Sequence, residues 1–135
     1  MKQILVREIM TPSDRIITIS PLAKVRELLQ LMQEKKVKSV VVERNSAHDA
    51  FGLVTYTSIL HAIFAEDSDM DLINVYDIAA KPIISVCGEL NIRYAAKMMV
   101  EHKVNRLLVM QNNEMTGLVS MNDIVSILMT EAAGE

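Results

Sequence analysis

A chain of 135 residues that is 50% hydrophobic and 23% charged has the composition of one compact globular domain, which excludes a disordered or fibrous protein. The formal net charge is −3 and basic residues are scattered among acidic ones, so nucleic acid is not expected as a partner, because phosphate backbones bind clustered Lys and Arg. No apolar run approaches the roughly 18 residues that span a bilayer, and residues 1–6 are too short for a signal peptide, so we expect a cytoplasmic protein without a membrane partner.

The first half of the chain predicts the order strand, helix, strand, strand, helix. Short runs of β-branched and aliphatic residues predict three strands: 16–19, 39–43 and 51–55. Apolar side chains at helical spacing predict a helix after the first strand: Val25, Leu28, Leu29 and Met32. Ser20 and Pro21 are expected to begin this helix, as its N-cap and its first residue. A second helix is expected over residues 57–65.

The second half of the chain repeats this order with closely similar residues. Ile83-Ile84-Ser85-Val86 matches the first predicted strand, and Gly117-Leu118-Val119-Ser120 matches Gly52-Leu53-Val54-Thr55. Further strands are expected at two places: 107–110 and 116–120. Two further helices are expected, one around the apolar residues Ile92, Ala95, Ala96 and Met99 and one over residues 122–130.

These matches predict a single tandem module covering residues 1–135. Its first repeat is residues 5–66 and its second repeat is residues 75–132, joined by an acidic linker at residues 67–74. Because a unit of roughly 60 residues is marginal as an independent fold, the two repeats are expected to share one core.

The segment from Gly117 to Asp123 is the strongest candidate for a binding site. Glycine permits close approach to the backbone, and Ser120 begins a predicted helix, where free amides and the helix dipole favour a phosphate. Asp123 lies within one turn and could accept hydrogen bonds from both hydroxyls of a ribose. The same Ser-x-x-Asp pattern is also a helix capping box that needs no ligand, and both interpretations stay open.

These features together resemble the CBS (cystathionine β-synthase) domain family, in two copies that cover essentially the whole chain. The resemblance is carried by the lead-in Glu8-Ile9-Met10-Thr11, the repeated element order and a Gly-h-x-Ser/Thr-x-x-Asp signature at residues 117–123, where h is an apolar residue. It implies an α/β (α+β) fold, in which two β-α-β-β-α repeats pack through their sheets about a pseudo-twofold axis. It also implies two clefts that accept AMP, ADP, ATP or a related adenosyl compound such as S-adenosylmethionine.

For the stronger cleft, the resemblance implies that Asp123 holds the ribose and Ser120 the phosphate, beside Gly117. It implies backbone and apolar contacts to the adenine from three consecutive residues: Pro82, Ile83 and Ile84. Arg106 stands where many family members carry a phosphate-facing base. A phosphate contact and a solvated arginine are equally open interpretations there, because the guanidinium fork suits both.

The other cleft departs from the family pattern, because Ser58 stands where the signature has a carboxylate. The second lead-in, Asp77-Ile78-Ala79-Ala80, also lacks the Met-Thr pair. A weaker second site is therefore assigned to five residues: Met10, Thr11, Ile17, Thr55 and Ser58.

The sequence predicts neither a metal site nor catalytic residues. Asp67, Asp69 and Asp71 imitate the start of an EF-hand loop, but its glycine and bidentate glutamate are missing, so a solvated linker is expected. The three histidines lack metal-ligand spacing. Cys87, the single cysteine, is expected to be a buried structural thiol in an apolar strand.

We therefore expect a non-catalytic regulatory module with no required cofactor, in which an adenosine-containing ligand alters the packing of repeats or subunits. The alternative is a protein–protein interaction scaffold of the same fold that has lost nucleotide binding. An enzyme is the weakest interpretation.

The resemblance implies a homodimer. The second helices also carry more aliphatic surface than a short helix needs: Ile59, Leu60, Ile63, Ile124, Ile127 and Leu128. The sequence does not identify the effector protein.

Overall fold

The computed structural model describes residues 3–134 and has the mixed α/β fold that the sequence predicts. The described residues form seven strands: β1 Thr11–Pro12, β2 Thr18–Ile19, β3 Ser39–Val42, β4 Gly52–Thr55, β5 Ser85–Val86, β6 Arg106–Gln111 and β7 Glu114–Ser120. They also form six α-helices: α1 Val6–Ile9, α2 Val25–Lys35, α3 Tyr56–Leu60, α4 Val75–Ile78, α5 Ile92–His102 and α6 Met121–Ala132. A 3₁₀ turn, Ser13–Arg15, follows β1, and a π-helical turn, His61–Ala65, continues α3.

The described chain divides into two compact units that do not coincide with the two sequence repeats. The composite unit combines residues 3–16 with residues 84–134, and the continuous unit is residues 17–83. Each lead-in segment therefore lies in the unit that is formed mainly by the other repeat. Val6, shortly before the first lead-in, and Val75, shortly before the second, are fully buried, each in the core of the unit that contains it.

The composite unit is built on a four-stranded sheet in the order β1-β7-β6-β5. β7 pairs antiparallel with both β1 and β6, while β5 pairs parallel with β6. α5 buries the apolar face from which it is predicted, and α6 buries Ile124. The core of this unit consists of Val6, Val86, Ile92, Ala95, Met99, Leu107, Val109, Val119 and Ile124.

The continuous unit is built on a three-stranded sheet in the order β2-β3-β4. β3 pairs parallel with β2 and antiparallel with β4. Leu53 of β4 also forms an isolated antiparallel bridge with Ala80, in the place that β1 takes beside β7 in the composite unit. The core of this unit consists of Ile19, Leu28, Met32, Val40, Val42, Val54, Ile59 and Val75.

The first long helix begins later than the sequence predicts. α2 starts at Val25, so the prediction that Ser20 and Pro21 begin the helix was wrong. Ser20 instead forms a tight turn, in which the Leu22 amide donates to Ser20 Oγ at 3.2 Å. The Val25 amide donates to the carbonyl of Ile73 at 3.1 Å, so the segment before α4 satisfies a donor that a helix start leaves free.

The single cysteine is placed differently from its prediction. Cys87 is exposed, so the expectation of a buried structural thiol was wrong. β5 ends at Val86, and the chain turns immediately afterwards, with the Leu90 amide donating to the Cys87 carbonyl at 3.2 Å. The apolar run that suggested a longer strand therefore stops before the cysteine.

Candidate functional site

The start of α6 carries the predicted serine and aspartate. β7 ends at Ser120 with an extended backbone, and the Asp123 amide donates to Ser120 Oγ at 3.2 Å. In return, the Ser120 amide donates to Asp123 Oδ2 at 2.8 Å. This is the capping box that the sequence left open as an alternative to ligand binding. Within residues 3–134, Asp123 Oδ1 has no hydrogen-bond partner, so one oxygen anchors the side chain and the other is available.

A positive charge stands beside this helix start. Arg106 lies directly opposite Ser120 in the antiparallel pairing of β6 with β7. Opposite side chains of such a pair leave the same face of the sheet with Cβ atoms roughly 5 Å apart. Arg106 is half-buried and forms no ion pair with another residue of the described chain. The end of β7 therefore carries a serine hydroxyl and a carboxylate, with an arginine on the neighbouring strand, a set of residue types that can bind a phosphorylated sugar.

Gly117 is required because Met10 and Thr11 of the first lead-in pack closely against it. It is buried and pairs with Pro12 of β1. A Cβ atom at this position would stand 2.8 Å from the carbonyl oxygen of Thr11 and would overlap the Met10 sulfur. The glycine therefore lets β1 pack against β7, which explains its presence without a ligand.

The predicted adenine contacts fall in different units. Ile84 belongs to the composite unit, where its carbonyl accepts from the Leu108 amide at 2.9 Å. Pro82 and Ile83 belong to the continuous unit, where the Ile83 amide donates to the carbonyl of Phe51 at 3.2 Å. The composite unit thus holds Ile84 together with Gly117, Ser120, Asp123 and Arg106, and it does not contain the other two residues.

The matching helix start in the continuous unit lacks this chemistry. Thr55 is the N-cap of α3, but its side chain makes no capping hydrogen bond, and Ser58 replaces the carboxylate. Ser39 lies opposite Thr55, in the position that Arg106 takes opposite Ser120. Ile17 is also in this unit, half-buried beside its core. The region of Ile17, Thr55 and Ser58 therefore offers hydroxyls without a charged partner.

Met10 and Thr11 belong to a different unit from Ile17, Thr55 and Ser58, the residues with which the sequence grouped them. Both belong to the composite unit, where Thr11 pairs with Leu118 and Met10 covers Gly117. Thr55 and Ser58 belong to the continuous unit, where Ala79 and Ala80 cover Gly52 as Met10 and Thr11 cover Gly117. No local pattern predicts this exchange, because the first lead-in and the signature that it contacts lie about a hundred positions apart. The assignment of Met10 and Thr11 to a weaker second site stays a prediction.

Two carboxylates with perturbed acidity lie in the continuous unit. The Asn45 amide, which donates at 2.9 Å, and the Lys81 ammonium, at 2.7 Å, lower the pKa of Asp49 to about 2. A bidentate contact with the Arg26 guanidinium lowers the pKa of Asp71 and raises that of the arginine. Asp71, part of the EF-hand look-alike, is therefore held by a guanidinium. No group of three or more His, Cys, Asp or Glu in residues 3–134 could hold a metal ion.

Comparison with known proteins gives a consistent family. The CBS domain family model matches residues 6–65 and again residues 75–130. An uncharacterized protein of Methanopyrus kandleri, MK0525, is 28% identical over 83% of this chain and 57% of its own length, so the chain spans little more than half of that relative. None of the described helices is of the length and apolarity needed to cross a membrane.

Two solved structures share the fold and resemble the sequence. The hexameric CBS-CP12 protein from bloom-forming cyanobacteria is 34% identical, with a TM-score of 0.81 over 90% of this chain and 69% of that chain. The CBS domain of the bacterial CNNM/CorC family Mg²⁺ transporter, in complex with ATP, is 27% identical, with a TM-score of 0.78 over 90% of this chain and 84% of that chain.

Proposed function

Because the chain belongs to the CBS-domain family, a family of regulatory modules, we propose that it senses an adenosine-containing ligand and responds by a change in the packing of repeats or subunits. Such a response requires the ligand to bind one arrangement better than another. The proposal covers AMP, ADP, ATP and S-adenosylmethionine, and it places the protein in the cytoplasm.

The observation that carries the proposal is the set of Ser120, Asp123 and Arg106 around the start of α6. Asp123 Oδ1 accepts a hydrogen bond from a ribose hydroxyl, while Oδ2 keeps its bond to the Ser120 amide. A phosphate near a carboxylate is repelled, and the positive charge of Arg106, the residue paired with Ser120 across β6 and β7, offsets that repulsion. The ATP complex of the CNNM/CorC domain supports an adenine nucleotide as the ligand class.

A first experiment screens for the ligand. Thermal unfolding with and without AMP, ATP and S-adenosylmethionine should show stabilisation by at least one of them, since a ligand at 100 times its Kd stabilises by about 2.7 kcal/mol. Native mass spectrometry of protein taken directly from cells would show a retained ligand and the number of subunits. Absence of any shift and of any retained ligand would contradict the proposal.

The second candidate is an interaction scaffold without nucleotide binding. It is favoured by one observation: the capping box satisfies Ser120 and Asp123 through each other, so the local structure needs no ligand.

Two helical segments expose apolar side chains at the same repeat positions: Tyr56, Leu60 and Phe64 in one, and Met121, Val125 and Met129 in the other. We propose that a second copy covers these side chains in a homodimer. Of the residues from which the sequence predicts that dimer, Ile59 and Ile124 are buried in the cores of their units, whereas Leu60 and Leu128 are exposed. Sedimentation at micromolar concentration that shows a 15.1 kDa monomer would remove the dimer.

A further inference from the structure

An exposed apolar patch lies on the continuous unit, where the start of α4 meets the segment before α2. It consists of three side chains: Leu22 is 66% exposed, Leu72 is 73% exposed and Tyr76 is 54% exposed. Backbone hydrogen bonds join residues 70–76 to residues 21–26, among them one from the Tyr76 amide to the Pro21 carbonyl at 3.1 Å. The three side chains therefore lie on two adjoining segments, and none of them belongs to the surface that the proposed homodimer covers.

The composite unit shows that this fold does not need apolar residues at these positions. The alignment of the repeats matches Leu22 with Glu89 and Tyr76 with Arg7. Arg7 Nε and Glu89 Oε1 lie 3.1 Å apart, and both side chains are largely exposed. The same junction therefore carries an exposed ion pair in one unit and exposed apolar side chains in the other. Exposed apolar side chains that cluster, unlike scattered ones, mark sites of interaction.

Negative charge surrounds the patch. Residues 66–77 contain five acidic residues and no basic one, and residues 20–27 contain two basic residues and one acidic residue, so the two segments carry −4 in a chain of net charge −3. Asp71 contacts the Arg26 guanidinium and raises its pKa, and the nearby Asp69 carboxylate raises it further. One cation therefore serves two carboxylates. Asp77, next to Tyr76, forms no ion pair with another residue of the described chain.

We propose that the patch of Leu22, Leu72 and Tyr76 binds a basic amphipathic peptide segment of a partner protein. The apolar face of the segment packs on the patch, and its Lys or Arg side chains face Asp69 and Asp77, because complementary charge steers association and selects the partner. Nucleic acid and anionic membranes are repelled by the same carboxylates. A second copy of the chain is disfavoured, since a symmetric contact would bring two acidic surfaces together. The patch lies outside the proposed adenosine site, so its test does not depend on nucleotide binding.

The probe is a synthetic peptide of about 12 residues in which pairs of Leu and pairs of Lys alternate, giving one apolar and one basic face. A second peptide carries Glu in place of each Lys. Each is titrated into the whole chain, and amide chemical shifts are recorded by NMR. The basic peptide should shift the amides of residues 20–27 and 69–78, and the acidic peptide should bind at least tenfold more weakly.

Two double variants separate the apolar contribution from the charge. Leu22→Glu/Tyr76→Arg installs the ion pair of the composite unit without changing the net charge, and it should weaken the basic peptide at least tenfold. Asp69→Asn/Asp77→Asn keeps the acceptors for the Asp71 and Asn74 amides and should weaken the basic peptide about threefold at low salt, an effect that about 0.5 M salt removes. Glu101→Gln/Glu131→Gln removes the same charge from the composite unit and should leave binding unchanged.

Three results would overturn the proposal. One is equal affinity of the basic peptide for the wild type and for Leu22→Glu/Tyr76→Arg. Another is a set of amide shifts centred outside the two segments, which would mean that the peptide binds elsewhere. The third is a shift of the same amides with protein concentration alone, which would mean that a second copy of the chain covers the patch. A thermal melt of each variant establishes that it is folded.

Discussion

The starts of α3 and α6 occupy equivalent places in the two repeats and differ in chemistry. At α6, Ser120 and Asp123 cap each other, and a helix of 12 residues follows. At α3, Thr55 makes no side-chain capping bond, the α-helix lasts 5 residues, and the chain continues as a π-helical turn. The same strand-to-helix architecture therefore exists with and without the carboxylate. The fold therefore does not require a carboxylate at this position. Its presence at the start of α6 and its absence at the start of α3 make the two sites different in the ligand groups that they can bind.

The largest effect is expected when the two repeats are separated along the sequence. A fragment of residues 1–70 contains the first repeat but lacks Val75, which is fully buried in the continuous unit. It should lose cooperative unfolding altogether, because roughly 60 residues with an incomplete core are marginal. Circular dichroism during thermal unfolding checks this. A monomeric fragment with a sharp transition would show that a repeat folds without the other lead-in.

The two signature glycines should respond unequally to alanine. At Gly117 a new Cβ meets the Thr11 carbonyl oxygen at 2.8 Å, whereas at Gly52 the nearest atoms lie at 3.3 Å. Gly117→Ala should therefore destabilise the protein by about 2–3 kcal/mol and Gly52→Ala by less than about 1 kcal/mol, in the range of core overpacking. Urea denaturation measures both. Equal losses in unfolding free energy would mean that β1 beside Gly117 and the chain at Ala80 beside Gly52 accommodate an added methyl group equally well.

The missing carboxylate can be restored in the continuous unit. Ser58→Asp gives α3 the residue that α6 has at Asp123, and it should create or strengthen a second binding event for the adenosine ligand. Charge-assisted hydrogen bonds are worth about 1.5–3 kcal/mol, which corresponds to roughly a tenfold to hundredfold gain in affinity. Calorimetry counts the sites. Ser58→Asn, of similar shape but neutral, is the matched control and should add no site.

Capping provides a smaller contrast. Ser120→Ala removes a capping hydrogen bond and should cost about 1 kcal/mol, whereas Thr55→Ala should cost less, because Thr55 makes no such bond. Thermal unfolding of the two variants without ligand measures the difference. A larger loss for Thr55→Ala would mean that α3 depends on its N-cap more than the structure indicates.

The smallest expected effect is a response to acid in the continuous unit. The folded-state pKa of Asp49 is lowered from 3.8 to about 2, so its stabilising contribution is present above pH 4 and is lost as the pH falls toward 2. The decrease in unfolding free energy between pH 4 and pH 2 should be smaller in Asp49→Asn. Lys81→Met should remove part of the difference, because the Asn45 amide is the larger cause of the shift. An unchanged pH profile in Asp49→Asn would exclude this carboxylate as a source of acid sensitivity.

The sequence predicts the repeated elements well, and it fails where distant segments decide the outcome. Periodicity places α5 because one face of that helix is buried in its own unit. The Ser20-Pro21 start fails because backbone groups near Ile73 pair with residues before α2, a contact that no local signal encodes. Cys87 was expected to be buried because an apolar run does not show where a strand ends. The exchange of lead-ins, which brings Met10 to Gly117, is likewise a long-range result.

Calorimetry tests most directly whether Asp123 binds the adenosine ligand. It uses whichever of AMP, ATP and S-adenosylmethionine stabilises the protein most. The wild type is compared with Asp123→Ala and with Asp77→Ala, which removes a carboxylate that accepts from the Asn74 amide at 2.9 Å in the same capping geometry. Asp123→Ala should abolish the tight binding event. Asp77→Ala removes a similar capping bond but no residue of the Ser120–Asp123 site, so it should retain tight binding within about twofold. Equal binding by the wild type and Asp123→Ala would contradict the site assignment, even though the fold is that of the CBS family.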